Sequence, residues 1–157
     1  MKVLALGGSG GMGRYAVQYL HNIKQIEKIY VADVNSLSAK KFASHFDNRV
    51  EGLKLDIRDF ETLKSEMSKV DIVVNTTGPF FLFAEPILKA AIQTNTHYFD
   101  ICDDWEPTEK MLQMNEDAKK ANITAIIGLG ASPGLTNILA HMAISELDEV
   151  RKVYTGW

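Results

Sequence analysis

The chain has 157 residues, of which 46% are hydrophobic and 24% are charged, as is ordinary for a soluble globular domain that can bury a core. Its net charge of −3 argues against a nucleic-acid-binding protein, because such proteins usually carry a basic excess. No apolar run approaches the roughly 18–20 residues that cross a bilayer, and the start shows no signal-peptide pattern, so no membrane partner is expected.

Short apolar runs alternate with longer segments of helical periodicity along the whole chain. The apolar runs predict six strands, with the sequences KVLAL, KIYVAD, VEGLKLD, VDIVVNT, HYFDI and ITAIIGLG. Helices are predicted after these strands, over residues 14–23, 36–46, 59–67, 83–93, 107–121 and 135–147. Ser36 and Asp59 are the predicted N-caps of their helices, and Pro86 is placed in a first helical turn, where proline is tolerated.

Strands that alternate with helices at this spacing are typical of parallel βαβ units. Six of them predict a doubly wound α/β fold, the Rossmann arrangement with strand order 3-2-1-4-5-6, over residues 1–150. The run VDIVVNT has β-branched residues on both faces, as expected for a central strand that helices cover on both sides. The last residues, 151–157, read RKVYTGW and predict the start of another strand.

A cluster of glycines follows the first predicted strand. Residues 8–13 match G-x-G-x-x-G between a strand and a helix, which is the context that this dinucleotide-binding motif requires. Gly8 is expected to form the tight turn, Gly10 to admit the pyrophosphate, and Gly13 to let helix and strand pack closely. Further backbone N–H groups for an anion at the helix N-terminus would come from Ser9, Gly11 and Met12.

Asp33 ends the second predicted strand. A carboxylate at this place can accept hydrogen bonds from both hydroxyls of an adenosine ribose, and it would repel a 2′-phosphate. We therefore expect NAD as the cofactor. NADP stays possible, because a rotated Asp33 with Lys40 or Lys41 nearby could accept the phosphate. The alternative is that Asp33 is an ordinary turn aspartate.

Asp56 and Ile57 close the third predicted strand, next to the expected position of adenine. The carboxylate could contact the adenine amino group, and the isoleucine could contact the face of the ring. In the alternative interpretation, Asp56 only caps the turn before Asp59.

The sequence NTTGPF closes the fourth predicted strand, beside the point where the strand order reverses. Ligands bind at this point in doubly wound sheets. We therefore predict contacts with the nicotinamide ribose from Asn75, Thr76, Thr77, Gly78 and Pro79.

Four segments, GGSGGMG, NTTGPF, HYFDICDD and GLGASPGLTN, follow one another in the order seen in saccharopine dehydrogenase-like proteins. Over nearly its whole length, the chain resembles the N-terminal nucleotide-binding domain of that family. The resemblance implies an NAD(P)-dependent oxidoreductase that moves hydride to or from an imine or amine carbon of an amino-acid-derived substrate. It also implies a second domain beginning at about residues 151–157, which would carry much of the substrate site and a homodimer interface. This chain alone would then be inactive.

Acidic residues cluster after the fifth predicted strand, at the edge toward which the nicotinamide is expected to point. Asp100 and Asp103 are candidates for an acid or base near an imine nitrogen, although acidic residues there also cap helices. Cys102 is the only cysteine, so no intrachain disulfide can form and a cytoplasmic location is expected. One cysteine and scattered histidines give no metal-ligand spacing, so no metal site is predicted.

Two other functions compete with this hypothesis. A short-chain dehydrogenase resembles the chain in its glycine spacing, but the Tyr-x-x-x-Lys pair of that chemistry is absent. A non-catalytic regulatory module that senses NAD is the alternative from another class of protein. It would be favoured if 157 residues were the full length of the protein.

Overall fold

The computed structural model describes residues 1–156. Its strands are β1 (Lys2–Leu6), β2 (Lys28–Asp33), β3 (Val50–Lys54), β4 (Ile72–Asn75), β5 (His97–Asp100) and β6 (Ala125–Ile126). Its helices are α1 (Gly11–His21), α2 (Ser36–Ala43), α3 (Phe60–Met67), α4 (Phe80–Gln93), α5 (Trp105–Leu112), α6 (Asn115–Lys120) and α7 (Leu135–Ser145). The strands pair in parallel in the order β3-β2-β1-β4-β5-β6, so the predicted doubly wound fold is confirmed.

The sheet separates two apolar clusters because successive strand residues point to opposite faces. Val3 and Ala5 of β1 pack in the cluster that contains residues of α1 and α2. Leu4 and Leu6 of the same strand pack in the cluster formed with α3, α4 and α5. Because all six strands are parallel, their carboxyl ends lie at one edge of the sheet, where the loops of the candidate site also lie.

The two predicted N-caps have different outcomes. Asp59 caps α3 as predicted, since its carboxylate accepts a hydrogen bond from the Thr62 N–H at 3.1 Å. The cap of α2 is Asn35 rather than Ser36, because the Asn35 side chain accepts the Ser38 N–H at 3.1 Å. Asparagine and serine are equally favoured at this position, so residue type alone could not locate the boundary.

Helix α4 begins earlier than predicted, at Phe80, and Pro86 therefore lies inside it rather than in its first turn. The first N–H groups of a helix have no partner within it. The Asp104 carboxylate accepts one of them, the Phe81 N–H, at 3.0 Å. Proline has no N–H to offer the Leu82 carbonyl, but both residues are exposed. Water can therefore bind that carbonyl, and the helix continues through the proline.

Two predictions beyond β5 are wrong in detail. The helix predicted over 107–121 is interrupted by a turn in which the Met114 N–H donates to the Met111 carbonyl at 3.1 Å, which separates α5 from α6. Strand β6 has only two residues. It ends because the chain turns at Gly128, where φ is +69° and the N–H donates to the Asp100 carboxylate at 2.7 Å.

Strand β4 is fully covered on one face, but on the other its side chains are only partly covered, unlike the predicted cover by helices on both sides. Val73 is buried, whereas Ile72 and Val74 are half-buried and line an apolar groove of about 630 Å³ beside α1. Helix α7 buries none of its residues. On the α1 face, the described part of the chain therefore leaves this half of the sheet open.

Residues 151–156 form no strand, so the strand predicted there is not found in them, and Trp157 lies outside the described residues. Within residues 1–156, no helix combines the length and the apolar character that crossing a membrane requires.

Candidate functional site

A cavity of about 480 Å³ lies at the carboxyl ends of β1, β2 and β4, where the strand order reverses. Four segments that are distant in sequence line it together. Of the predicted site residues, its lining includes Gly10, Asp33, Asp56, Ile57, Thr76, Thr77 and Gly78. The other predicted dinucleotide-binding residues do not line it, namely Gly8, Ser9, Gly11, Met12, Gly13, Asn75 and Pro79.

The loop between β1 and α1 forms a tight turn with Gly8 as a central residue, as predicted, and its left-handed residue is Gly7. Gly7 has a φ of +68°, and its carbonyl accepts the Gly10 N–H at 2.9 Å. The left-handed conformation is needed directly after Leu6, where the strand ends. At Gly13, a Cβ atom would overlap the Gly7 carbonyl oxygen, so the close packing of helix and strand predicted for this glycine is present.

The N-terminus of α1 is bare, that is, no side chain caps it. Gly10 is its N-cap and supplies no side-chain hydrogen bond. Within residues 1–156, no acceptor reaches the N–H groups of Gly11 and Met12, and a Cβ on Gly11 would meet nothing within 4 Å. These donors carry the positive end of the helix dipole, so the place suits an anion such as a phosphate.

Asp33 lies half-buried at the end of β2 with both carboxylate oxygens already engaged. Oδ2 accepts the Ser9 hydroxyl at 2.5 Å, and Oδ1 accepts the Asn35 N–H at 2.9 Å. A carboxylate offers about four lone-pair directions, so about two remain for a ligand in the cavity. The carboxylate is thus both anchored and able to accept further hydrogen bonds.

Asp56 forms an ion pair with Arg58, a cavity residue that the sequence interpretation missed. The guanidinium donates from Nη2 to Oδ2 at 2.6 Å, and these hydrogen bonds lower the pKa of Asp56 to about 2. Asp56 also accepts the Arg58 N–H at 3.0 Å, so it caps its own turn, as the alternative interpretation holds. Contact of Asp56 or Ile57 with adenine stays a prediction. The sequence signal for Arg58 was an arginine two positions after an aspartate at a strand end.

Two adjacent threonines differ in how their hydroxyls are satisfied. Thr76 donates from Oγ1 to the Leu6 carbonyl at 2.8 Å. The Thr77 N–H donates to the Asn75 side chain at 3.0 Å, but Thr77 Oγ1 is buried and, within residues 1–156, is the one buried side-chain polar atom without a partner. A Cβ on Gly7 would lie 3.0 Å from this oxygen. The hydroxyl therefore lies against the loop between β1 and α1, residues 7–10, which is called the glycine loop below. A bound ligand could supply the missing partner.

A buried hydrogen-bond network joins the ends of three strands beside the cavity. Asn75 donates from Nδ2 to the Tyr98 hydroxyl at 3.1 Å, and Tyr98 donates to Asp100 Oδ2 at 2.8 Å. Asp100 Oδ1 accepts the N–H groups of Cys102 at 3.1 Å and Gly128 at 2.7 Å. Sequence reasoning placed these residues at strand ends but not in one network.

The network leaves Asp100 little access to a substrate. Asp100 is 1% exposed, and burial raises its pKa above the usual value of a carboxyl group. Burial also raises the pKa of Tyr98 well above the value of a free phenol. Asp103, the other acidic candidate, is exposed and does not line the cavity. Neither Asp100 nor Asp103 lines the cavity, although Asp100 lines the neighbouring apolar groove together with Thr76.

Curated relatives resemble most of the chain. The "Lipid droplet localized protein" of Caenorhabditis elegans is 28% identical over 139 residues, which are 82% of this chain and 32% of that protein. The NADP+-dependent, L-glutamate-forming saccharopine dehydrogenase of Schizosaccharomyces pombe is 26% identical over 147 residues, or 94% of this chain and 31% of that enzyme. The chain therefore spans about a third of the length of these relatives.

The fold has a close counterpart among solved structures. Apo saccharopine dehydrogenase (L-Glu forming) from Saccharomyces cerevisiae superimposes with a TM-score of 0.79 and 23% identity, over 92% of this chain and 31% of that one. Residues 3–126 match the family described as the saccharopine dehydrogenase NADP binding domain. The resemblance inferred from the sequence is confirmed, and the chain belongs to the family of saccharopine dehydrogenase NADP-binding domains.

Proposed function

We propose that the chain binds a pyridine dinucleotide in the cavity at the carboxyl ends of β1, β2 and β4, as the nucleotide-binding unit of an oxidoreductase. The unpartnered hydroxyl of Thr77 is the observation that carries the proposal. A buried hydroxyl without a partner costs about 1–3 kcal/mol, and a sugar or phosphate oxygen would remove that cost. The hydroxyl lies against the glycine loop that leads into the bare N-terminus of α1.

The residues present fit each part of a dinucleotide. The N–H groups of Gly11 and Met12 would hold the diphosphate. Asp33 would accept hydrogen bonds from the adenosine ribose, and Ile57 would cover the face of adenine. Thr77 would hold the sugar or phosphate on the nicotinamide side. When bound, the nicotinamide supplies or accepts hydride, while the chain itself positions the dinucleotide along the strand ends.

The choice between NAD and NADP depends on two opposing charges in this proposal. The family description and the name of the S. pombe relative favour NADP, and neither supports the NAD preference expected from Asp33. Arg58 lines the same cavity as Asp33 and could attract a 2′-phosphate that Asp33 repels. We therefore propose that both dinucleotides bind and that Asp33 sets the ratio of their affinities.

The reaction proposed for the whole protein is hydride transfer to or from an imine or amine carbon of an amino-acid-derived substrate. The dehydrogenase name of the S. pombe relative supports this reaction. The names of the relatives reported above give no better support to a regulatory NAD-sensing module. Asp100 would position the strand ends rather than exchange protons with substrate, because it is 1% exposed. We further propose that catalytic groups and a homodimer interface lie in a second domain.

Titration of the 157-residue chain with NADH and with NADPH tests the binding proposal. We expect the fluorescence of both nucleotides to saturate at micromolar to submillimolar concentrations. ADP-ribose should compete, because most of the proposed contacts are to the diphosphate and the adenosine. Absence of saturation by either nucleotide up to millimolar concentrations would refute the proposed site.

A further inference from the structure

A hydrogen bond from Ser9 connects the glycine loop to Asp33 at the end of β2. Its side chain is buried, with 5% of the residue exposed, and its hydroxyl donates to Asp33 Oδ2 at 2.5 Å. The preceding N–H, of Gly8, donates to the Ala32 carbonyl at 3.3 Å. The Ser9 carbonyl accepts a hydrogen bond from Arg14 Nε at 2.8 Å. Ser9 is thus held on both sides, and its hydroxyl is a fixed donor.

The Ser9 hydroxyl is one of only two groups in the described chain that hold the Asp33 carboxylate. The other is the Asn35 N–H, which donates to Oδ1 at 2.9 Å. Two donors on different oxygens fix the rotation of the carboxyl group about its Cβ–Cγ bond. The remaining lone pairs then have one orientation, with Asp33 lining the cavity.

We propose that the Ser9 hydroxyl is a positioning group that determines dinucleotide specificity by holding Asp33 toward the ribose. This inference rests on the proposed function, because it concerns how the same cavity distinguishes NAD from NADP. Without the hydroxyl, Asp33 keeps one anchor and can turn away, which weakens its bonds to the ribose hydroxyls and reduces its repulsion of a 2′-phosphate. The guanidinium of Arg14 lies 5.4 Å from the Phe42 ring centroid, and it adds a cation on this side of the loop.

A double-mutant cycle tests the inference, with the ratio of the Kd for NADPH to the Kd for NADH as the measured quantity. Ser9→Ala keeps the backbone N–H groups and is expected to lower this ratio about three- to tenfold, the effect of one hydrogen bond. Asp33→Ala is expected to lower the ratio at least as much. In the Asp33→Ala background, Ser9→Ala should change the ratio no further, because the two residues act through one another.

Ser44→Ala is the matched control, since the Ser44 hydroxyl donates to the Lys41 carbonyl at 2.8 Å and does not line the cavity. The ratio of the Kd for NADPH to the Kd for NADH should be the same in Ser44→Ala as in the wild type. The inference would be overturned if Ser9→Ala left the ratio unchanged or raised it. It would also be overturned if Ser9→Ala had the same effect with and without Asp33. Neither result would affect the proposed binding site. Failure of the wild type to bind either nucleotide would overturn the proposed function and this inference with it.

Discussion

Gly13 in α1 packs so tightly against the Gly7 carbonyl oxygen that a methyl group at position 13 would overlap this oxygen. Because the overlapping atoms belong to the backbone, the first turn of the helix would have to move away from β1. We expect Gly13→Ala to lower the free energy of unfolding by about 1–3 kcal/mol, as overpacking does elsewhere. Urea denaturation followed by circular dichroism measures this change.

Gly11→Ala separates the steric effect from the helix propensity of alanine. A Cβ at position 11 would meet nothing within 4 Å, so this variant should be as stable as the wild type or up to about 1 kcal/mol more stable. Equal stabilities of Gly13→Ala and Gly11→Ala would show that the helix and the loop are not packed as described.

The two neighbouring threonines of the cavity are expected to respond in opposite ways to replacement by valine. Thr77→Val removes a buried hydroxyl that has no partner in the described chain, so the stability should stay equal or rise while affinity for NADH and NADPH falls about tenfold. Thr76→Val removes a hydrogen bond to the Leu6 carbonyl, so the stability should fall by about 1 kcal/mol. Thermal unfolding and fluorescence titration of both variants measure the two effects.

A loss of stability in Thr77→Val with unchanged affinity would contradict the assignment of this hydroxyl to a ligand. It would show instead that an internal partner, such as a bound water, already satisfies Thr77. The comparison is direct because the two substitutions are chemically identical and one residue apart.

The fold could be predicted because its signals are local. Alternating apolar runs and helical periodicity identify each element from its own residues, and parallel strands connected by helices leave few possible strand orders. The glycine spacing likewise placed Gly13 at the contact between helix and strand. It also placed Gly8 in the tight turn, but the spacing does not show that Gly7 takes the positive φ.

The contacts between loops could not be predicted in this way. Asn75 and Tyr98 are 23 positions apart, and Asp100 and Gly128 are 28 apart. Their bonds depend on how β4, β5 and the chain after β6 lie side by side, which no local pattern encodes. Asp100 therefore appeared as a candidate acid or base, whereas the structure shows its carboxylate engaged by three donors inside the protein.

Asp33 is expected to control the relative affinity of the two dinucleotides. Asp33→Ala removes an acceptor for the ribose hydroxyls and a negative charge beside the position of a 2′-phosphate. We expect affinity for NADH to fall by about tenfold or more, while affinity for NADPH falls less or rises. Isothermal titration calorimetry with both nucleotides measures the change. A greater loss of NADPH affinity than of NADH affinity would show that Asp33 does not face the adenosine ribose.

Burial of the Asp100 carboxyl predicts a pH dependence of stability that is opposite to that of an exposed N-cap. Burial raises the pKa of Asp100 above the value of 3.8 expected in the unfolded chain, so the folded protein binds this proton more tightly. The carboxyl group thus contributes most to stability below pH 3.8, and its contribution falls as the pH rises through the folded pKa. The free energy of unfolding of the wild type relative to Asp100→Asn should therefore decline as the pH rises from 3.8 through the folded pKa of Asp100.

Asp59→Asn is the control with the opposite sign. Hydrogen bonds from Thr62 lower the pKa of Asp59 below 3.8, so its contribution is present above that pH and is lost as the pH falls through the folded pKa. The advantage of the wild type over Asp59→Asn should accordingly shrink on acidification, whereas its advantage over Asp100→Asn should grow. Urea unfolding of the three proteins from neutral pH to well below pH 3.8 measures both differences, because Asp59 titrates below this value and Asp100 above it. Parallel pH profiles for the two variants would mean that the Asp100 carboxyl is hydrated rather than enclosed by Tyr98, Cys102 and Gly128.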